Sequence, residues 1–180
     1  HGVFDASSLA GQHVNYWALG GRHKSTNLDH NGSMVAYPGT PQGRNPKETG
    51  PHGFRFCRVD GSGKLRVQNV DADRVRWLPQ KVAIDENVKL SELKEALSDR
   101  ALKIIADTTD QVVLARWFLA TDGFFNPRIR QREWIEEVLE WLRDEFGRGD
   151  KGLWSVSVKV EAPQSLPMEW YEEDTILGEY

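Results

Sequence analysis

The apolar residues of this chain change their period at about residue 74, and that change decides what the chain can fold into. Before it they come in short runs bounded by glycine and proline: 14–19, 33–37, and the pair 54–59 and 64–70. Runs that short, each stopped by a turn-favouring residue, predict strands. Between the last two, Asp60-Gly61-Ser62-Gly63 predicts a hairpin turn where positive φ costs little. Residues 38–51 hold prolines and glycines and predict an ordered but irregular connection. No helix is expected in this first part.

Beyond residue 74 the pattern alternates between strand and helix. Residues 75–84 predict a strand, with Pro79 placing it at a sheet edge or a bulge. Leu90, Leu93, Leu97, Ala101 and Ile104 recur at steps of three and four, which predicts an amphipathic helix over 91–106. Residues 111–120 predict a buried strand. Residues 131–146 predict the clearest helix, with Trp134, Ile135, Val138, Leu139, Trp141, Leu142 and Phe146 on one face. Its early glutamates suit the helix dipole, and Gly147 is its expected end. Trp154, Val156, Val158 and Val160 alternate with polar residues and predict a half-buried strand facing inward through those four. The order β-α-β-α-β predicts a small two-layer α/β arrangement, its helices on one face of a sheet.

Charge divides at the same place. Residues 1–75 carry nine Lys/Arg against six Asp/Glu and all five histidines, and residues 76–180 carry fourteen against twenty-one. Phosphate or metal chemistry is therefore expected in the first part. No apolar run approaches the roughly 18 residues of a membrane span. The lone Cys57 has no internal disulfide partner, which fits a reducing cytoplasm. Residues 163–180 are acidic, with Glu169, Glu172, Glu173 and Asp174 beside Trp170 and Tyr171. Such a tail reads as a solvated terminus or as a contact for a partner.

Among residues able to carry chemistry, His23 stands out. The stretch Asn15-Tyr16-Trp17-Ala18-Leu19-Gly20-Gly21-Arg22-His23 reads as a short strand running into a glycine turn that presents one imidazole. Ligand-bearing residues of α/β proteins sit at such carboxyl ends of strands. Arg44 and Lys47, in the loop after Pro38-Gly39, are placed to meet phosphate; the alternative is that Gln42, Arg44 and Glu48 brace that loop. His13, His30 and His52 suit surface or turn roles. Nothing supports a Ser-His-Asp triad, a P-loop or a cysteine-based zinc site.

The stretches 15–24, 37–44 (Tyr-Pro-Gly-Thr-Pro-Gln-Gly-Arg) and 48–54 (Glu-Thr-Gly-Pro-His-Gly-Phe) together resemble the end of the catalytic domain of calcineurin-like metallophosphoesterases, in their DNA-repair exonuclease branch (SbcD-like and YhaO-like proteins). The resemblance implies an α+β chain in three parts. Residues 1–75 would be the C-terminal strands of the metallophosphoesterase β-sandwich, 76–162 a capping domain, and 163–180 an acidic tail. It implies two divalent metal ions about 3.5–4 Å apart, manganese first, with zinc, iron or magnesium as alternatives. The family motif Gly-His-x-His stands here as Gly20-Gly21-Arg22-His23, so His23 matches a metal ligand and Gly21 replaces another. That substitution would leave the second metal weakly held, its place filled by water or a neighbour, or the site without a hydrolytic role. Arg22 would fill the space and hold a phosphate, with Arg44 nearby as a second substrate contact. His1, followed by Gly2, resembles a further metal-binding position. The other family ligands would lie upstream of these residues, so this chain by itself would be an inefficient nuclease. DNA, an SMC-like ATPase and a second copy of the chain are the partners the resemblance implies, with no membrane. Two other readings stand beside it: a non-catalytic scaffold derived from such an enzyme, and a phosphoesterase acting on small phosphodiesters.

Overall fold

The computed structural model describes residues 14–28, 33–108, 110–121, 127–149 and 152–161. His1, His13, His30 and the acidic tail lie outside them. The fold is mixed α+β, with two α-helices and three sheets among the described residues. The described residues fall into two compact units, one within His1–Leu78 and Thr109–Leu114, the other within Pro79–Thr108 and Ala115–Tyr180.

In the first unit, strand β3 (Met34–Tyr37) is the centre of a three-stranded sheet. It buries Val35, Ala36 and Tyr37. Strand β1 (Tyr16–Ala18) pairs with it in parallel, Trp17 opposite Val35. A two-residue strand β2 (Thr26–Asn27) pairs antiparallel on the other side. The sequence gives no warning of β2, because a strand of that length has no period to read. Strands β4 (Gly53–Val59) and β5 (Leu65–Asp71) form the expected hairpin, Phe54 opposite Val70 and Arg58 opposite Arg66. Its turn is closed by Asp60, whose carboxylate accepts from the backbone N–H groups of Ser62 and Lys64 at 3.0 Å each. These bonds, led by the Ser62 hydroxyl, hold the Asp60 carboxyl below its ordinary range.

Strand β6 (Val75–Ala83) lies at the edge of the third sheet, ordered β6-β7-β8, which accommodates Pro79 as expected. Val112 N donates to Arg74 O, and Ile84 N donates to Ala120 O. The two bonds advance in the same sense, so β6 and β7 (Val112–Ala120) run parallel. The crossover between them is helix α1 (Leu90–Asp107), whose first turn is held by Glu92 accepting from Lys89 N at 3.0 Å. Leu93, Leu97, Ala101 and Ile104 are its buried stripe.

A 3-10 turn at Pro127–Arg130 precedes helix α2 (Arg132–Phe146), which buries Val138, Leu142 and Phe146 and is C-capped by Gly147. Val113, Ala115, Trp117 and Leu119, the alternate positions of β7, are buried as well. In the centre of this core the Trp117 Nε1–H donates to Ser155 Oγ at 3.0 Å, and both residues are fully buried.

Strand β8 (Leu153–Val160) departs from the expected alternation. Leu153, Ser155 and Val158 are the buried positions, and Trp154 is 44% exposed. The phase shifts by one residue between Ser155 and Val158. The contact that favours this phase is tertiary: Arg143 spans from α2 to donate to Ser155 O at 2.9 Å and lies 5.2 Å from the centroid of the Trp154 ring. Among the described residues no helix is long and apolar enough to cross a membrane.

Candidate metal-ligand site

Because β1 and β3 are parallel, the loops that leave their carboxyl ends emerge at one edge of the sheet. The first loop carries His23 and the second, residues 38–52, carries Glu48. The two are pinned together by Thr40 N donating to His23 O at 3.0 Å. Gly39 makes that approach feasible. Its φ is +85°, and a Cβ there would stand 2.8 Å from His23 O and 2.9 Å from Ser25 N.

The second loop is held mainly by its own polar groups. Gln42 donates to Val75 O and accepts from Arg74 N at 3.0 Å and Val75 N at 3.2 Å. Gly50 N donates to Trp77 O at 3.0 Å. Glu48 accepts from Arg44 N at 2.9 Å through Oε2 and from Asn45 Nδ2 at 2.8 Å through Oε1. The Glu48 side chain is only 13% exposed. Its carboxyl is held down to about 2, first by the Arg44 N–H and then by His23.

That carboxylate also orients the histidine. His23 Nδ1 lies 2.8 Å from Glu48 Oε1. A carboxylate only accepts, so Nδ1 carries the proton and donates it; the tautomer follows from this bond. Nε2 therefore keeps its lone pair. Arg44 Nη2 reaches it at 2.5 Å, and its 3.0 Å approach to Nδ1 is then a contact rather than a hydrogen bond. An imidazole whose Nδ1–H is tied to a carboxylate, which leaves Nε2 as the accepting nitrogen, is the arrangement that ligating histidines adopt. The His23 side chain is 50% exposed, at a cleft of about 470 Å³ also lined by Lys24, Lys47 and His52.

Tested against a divalent metal, the donor set fits one ligand position. Nε2 of His23 suits manganese, iron or zinc, with Glu48 as its outer partner. Among the described residues no group of three or more His, Cys, Asp or Glu side chains could hold an ion. Arg44 competes with any cation for the same lone pair.

The remaining expected site residues separate. Arg44 meets His23, as described. Arg22 points its guanidinium over the Tyr37 ring, 4.5 Å from the centroid. His1 lies outside the described residues. Gly21 has φ +92° and nothing within 4 Å of a notional Cβ, so the position has room for a side chain but not a backbone that suits one. Glu48 was expected only as a brace for its loop. Its separation of 25 residues from His23 hides the pairing, and only the parallel exit of two strands reveals it. His52, expected in a turn, also lines the cleft, its Nδ1 3.1 Å from Thr40 Oγ1.

Acid should dismantle this arrangement in a defined window. Glu48 has a lower pKa folded, about 2, than its ordinary 4.5. The unfolded chain therefore binds more protons between those values, and stability rises with pH across them. The contribution is complete above about 4.5 and lost as pH falls toward about 2. Metal-free melting curves of wild type and Glu48→Gln should differ above that window and converge at its lower end. A difference that does not vary with pH would contradict the assignment.

No protein-family model matches this chain. It is similar to a Bacillus subtilis (strain 168) protein named as the uncharacterised metallophosphoesterase YhaO, with 31% identity over 165 residues. The match takes in 88% of this chain and 38% of that protein, so the chain spans well under half the length of this relative. The likeness thus extends over most of this chain and a minority of that relative.

Proposed function

We propose that this chain is the C-terminal part of a metal-dependent phosphoesterase that hydrolyses phosphodiesters, with DNA as its substrate. The observation that carries the reading is His23, fixed through Nδ1 by Glu48 with Nε2 left to accept from Arg44, beside a cleft with two lysines. In such an enzyme the divalent ions supply an activated hydroxide and stabilise the charge that develops on phosphorus oxygens. His23 would hold one ion through Nε2. Glu48 keeps the proton on Nδ1 and the ring in place. Lys24 and Lys47 draw the anionic substrate into the cleft, and Arg44 exchanges its bond to Nε2 for one to a phosphate oxygen. His1 and the family ligands upstream would complete the ion pair, so the chain alone is expected to be inactive.

One observation favours the rival reading of a non-catalytic scaffold: Gly21 stands where the family has a histidine, on a backbone that suits glycine. Metal removal separates the two. The full-length protein should hydrolyse bis(p-nitrophenyl) phosphate with manganese, lose that activity in EDTA, and regain it when manganese returns. Absence of metal-dependent hydrolysis would leave the scaffold.

A further inference from the structure

The β4–β5 hairpin turns an unusual face to solvent. Phe54 is 49% exposed and Phe56 54% exposed. They are two residues apart on one strand, so their rings lie on the same side, about 6.6 Å apart along it. The next residue on that side is Arg58, and its cross-strand partner is Arg66. Like charges directly opposite on a sheet oppose folding, and little here relieves them. Among the described residues Arg58 makes no ion pair, and Arg66, 72% exposed, reaches Asp60 only at 4.0 Å.

The neighbouring carboxylates are already engaged. Glu48 is held by His23 and the Arg44 N–H, and Asp71 and Asp73 by Arg76 at 3.1 and 2.7 Å. Lys24 and Lys47, which line the cleft, make no ion pair among the described residues. This part of the surface thus presents two aromatic faces, two facing arginines and uncompensated lysines.

We propose that this face of the hairpin is a docking surface for a single-stranded polynucleotide. Bases stack on Phe54 and Phe56, and phosphates bridge Arg58 and Arg66. Stacking on exposed aromatics beside a basic track is how single strands are held without sequence preference. An apolar polypeptide would bury two opposed guanidinium groups without counter-charges, and a duplex has its bases already stacked. Phe54 also lines the cleft that holds His23, so a strand on this face leads there. That last step rests on the phosphoesterase reading; the docking surface does not.

The test is fluorescence anisotropy with a labelled oligothymidylate and the 180-residue chain in EDTA, where binding is read without metal or turnover. The expected result is binding that weakens with salt and prefers the single strand to duplex. Phe54→Ala with Phe56→Ala should lower affinity at least tenfold, following from the roughly 1–3 kcal/mol per stacked base, and leave the salt dependence intact. Arg58→Gln with Arg66→Gln should reduce the slope of log affinity against log salt by about 1.4. Circular dichroism confirms that the variants are folded. No binding, equal binding of duplex, or affinity indifferent to both phenylalanines would overturn the proposal. So would a change in sedimentation with the phenylalanine pair, which would make this face a protein interface. Failure here leaves metal-dependent hydrolysis untouched, and failure of hydrolysis leaves this binding untouched.

Discussion

Glu48→Gln should lower the metal affinity of the full-length protein by about 10- to 100-fold, the range found when the outer partner of a ligating histidine is removed. The carboxylate accepts on both oxygens, from His23 and Asn45 on one and from Arg44 N on the other. An amide has one acceptor. Whichever way it turns, its NH₂ faces a donor, and the charge that favours the Nδ1–H tautomer is gone. His23→Ala should be more severe, because it would remove the proposed ligand itself. The two are separable by titration: added manganese should rescue Glu48→Gln and not His23→Ala. A Glu48→Gln protein with wild-type metal dependence would sink the role given to Glu48. Equal rescue of both would sink that of His23.

The second large effect is in the other unit. Trp117→Ala should cost about 3–5 kcal/mol, the usual range for emptying a buried aromatic site. It removes the largest fully buried side chain and strands the hydroxyl of Ser155, itself inaccessible to solvent. Trp154→Ala, on a ring 44% exposed, should cost far less. Urea unfolding of the two variants measures the contrast. Similar losses would mean that the shifted phase of β8 is misassigned.

That phase also marks where sequence reading fails. Both helices were legible, because their apolar stripes repeat over several turns and no short-range contact competes. The edge position of β6 was legible from Pro79 alone. In β8, by contrast, valines and a tryptophan alternate cleanly, and tertiary contacts from Arg143 override the alternation. The candidate site was half legible. His23 announces itself through the glycine turn before it. Glu48 does not, since its partner is 25 residues away and its loop has no period at all. What joins them is the parallel pairing of β1 with β3, a long-range fact that no local pattern encodes.

The +92° φ of Gly21 has a consequence for how this protein can change. A histidine there would have to adopt a left-handed backbone, at about 1–2 kcal/mol, or rebuild the turn. The turn also delivers His23, two residues on, whose carbonyl is fixed by Thr40 and whose ring is fixed by Glu48. Rebuilding it would move the nitrogen already in place. A histidine at position 21 would therefore carry a backbone cost, and relieving that cost would disturb His23.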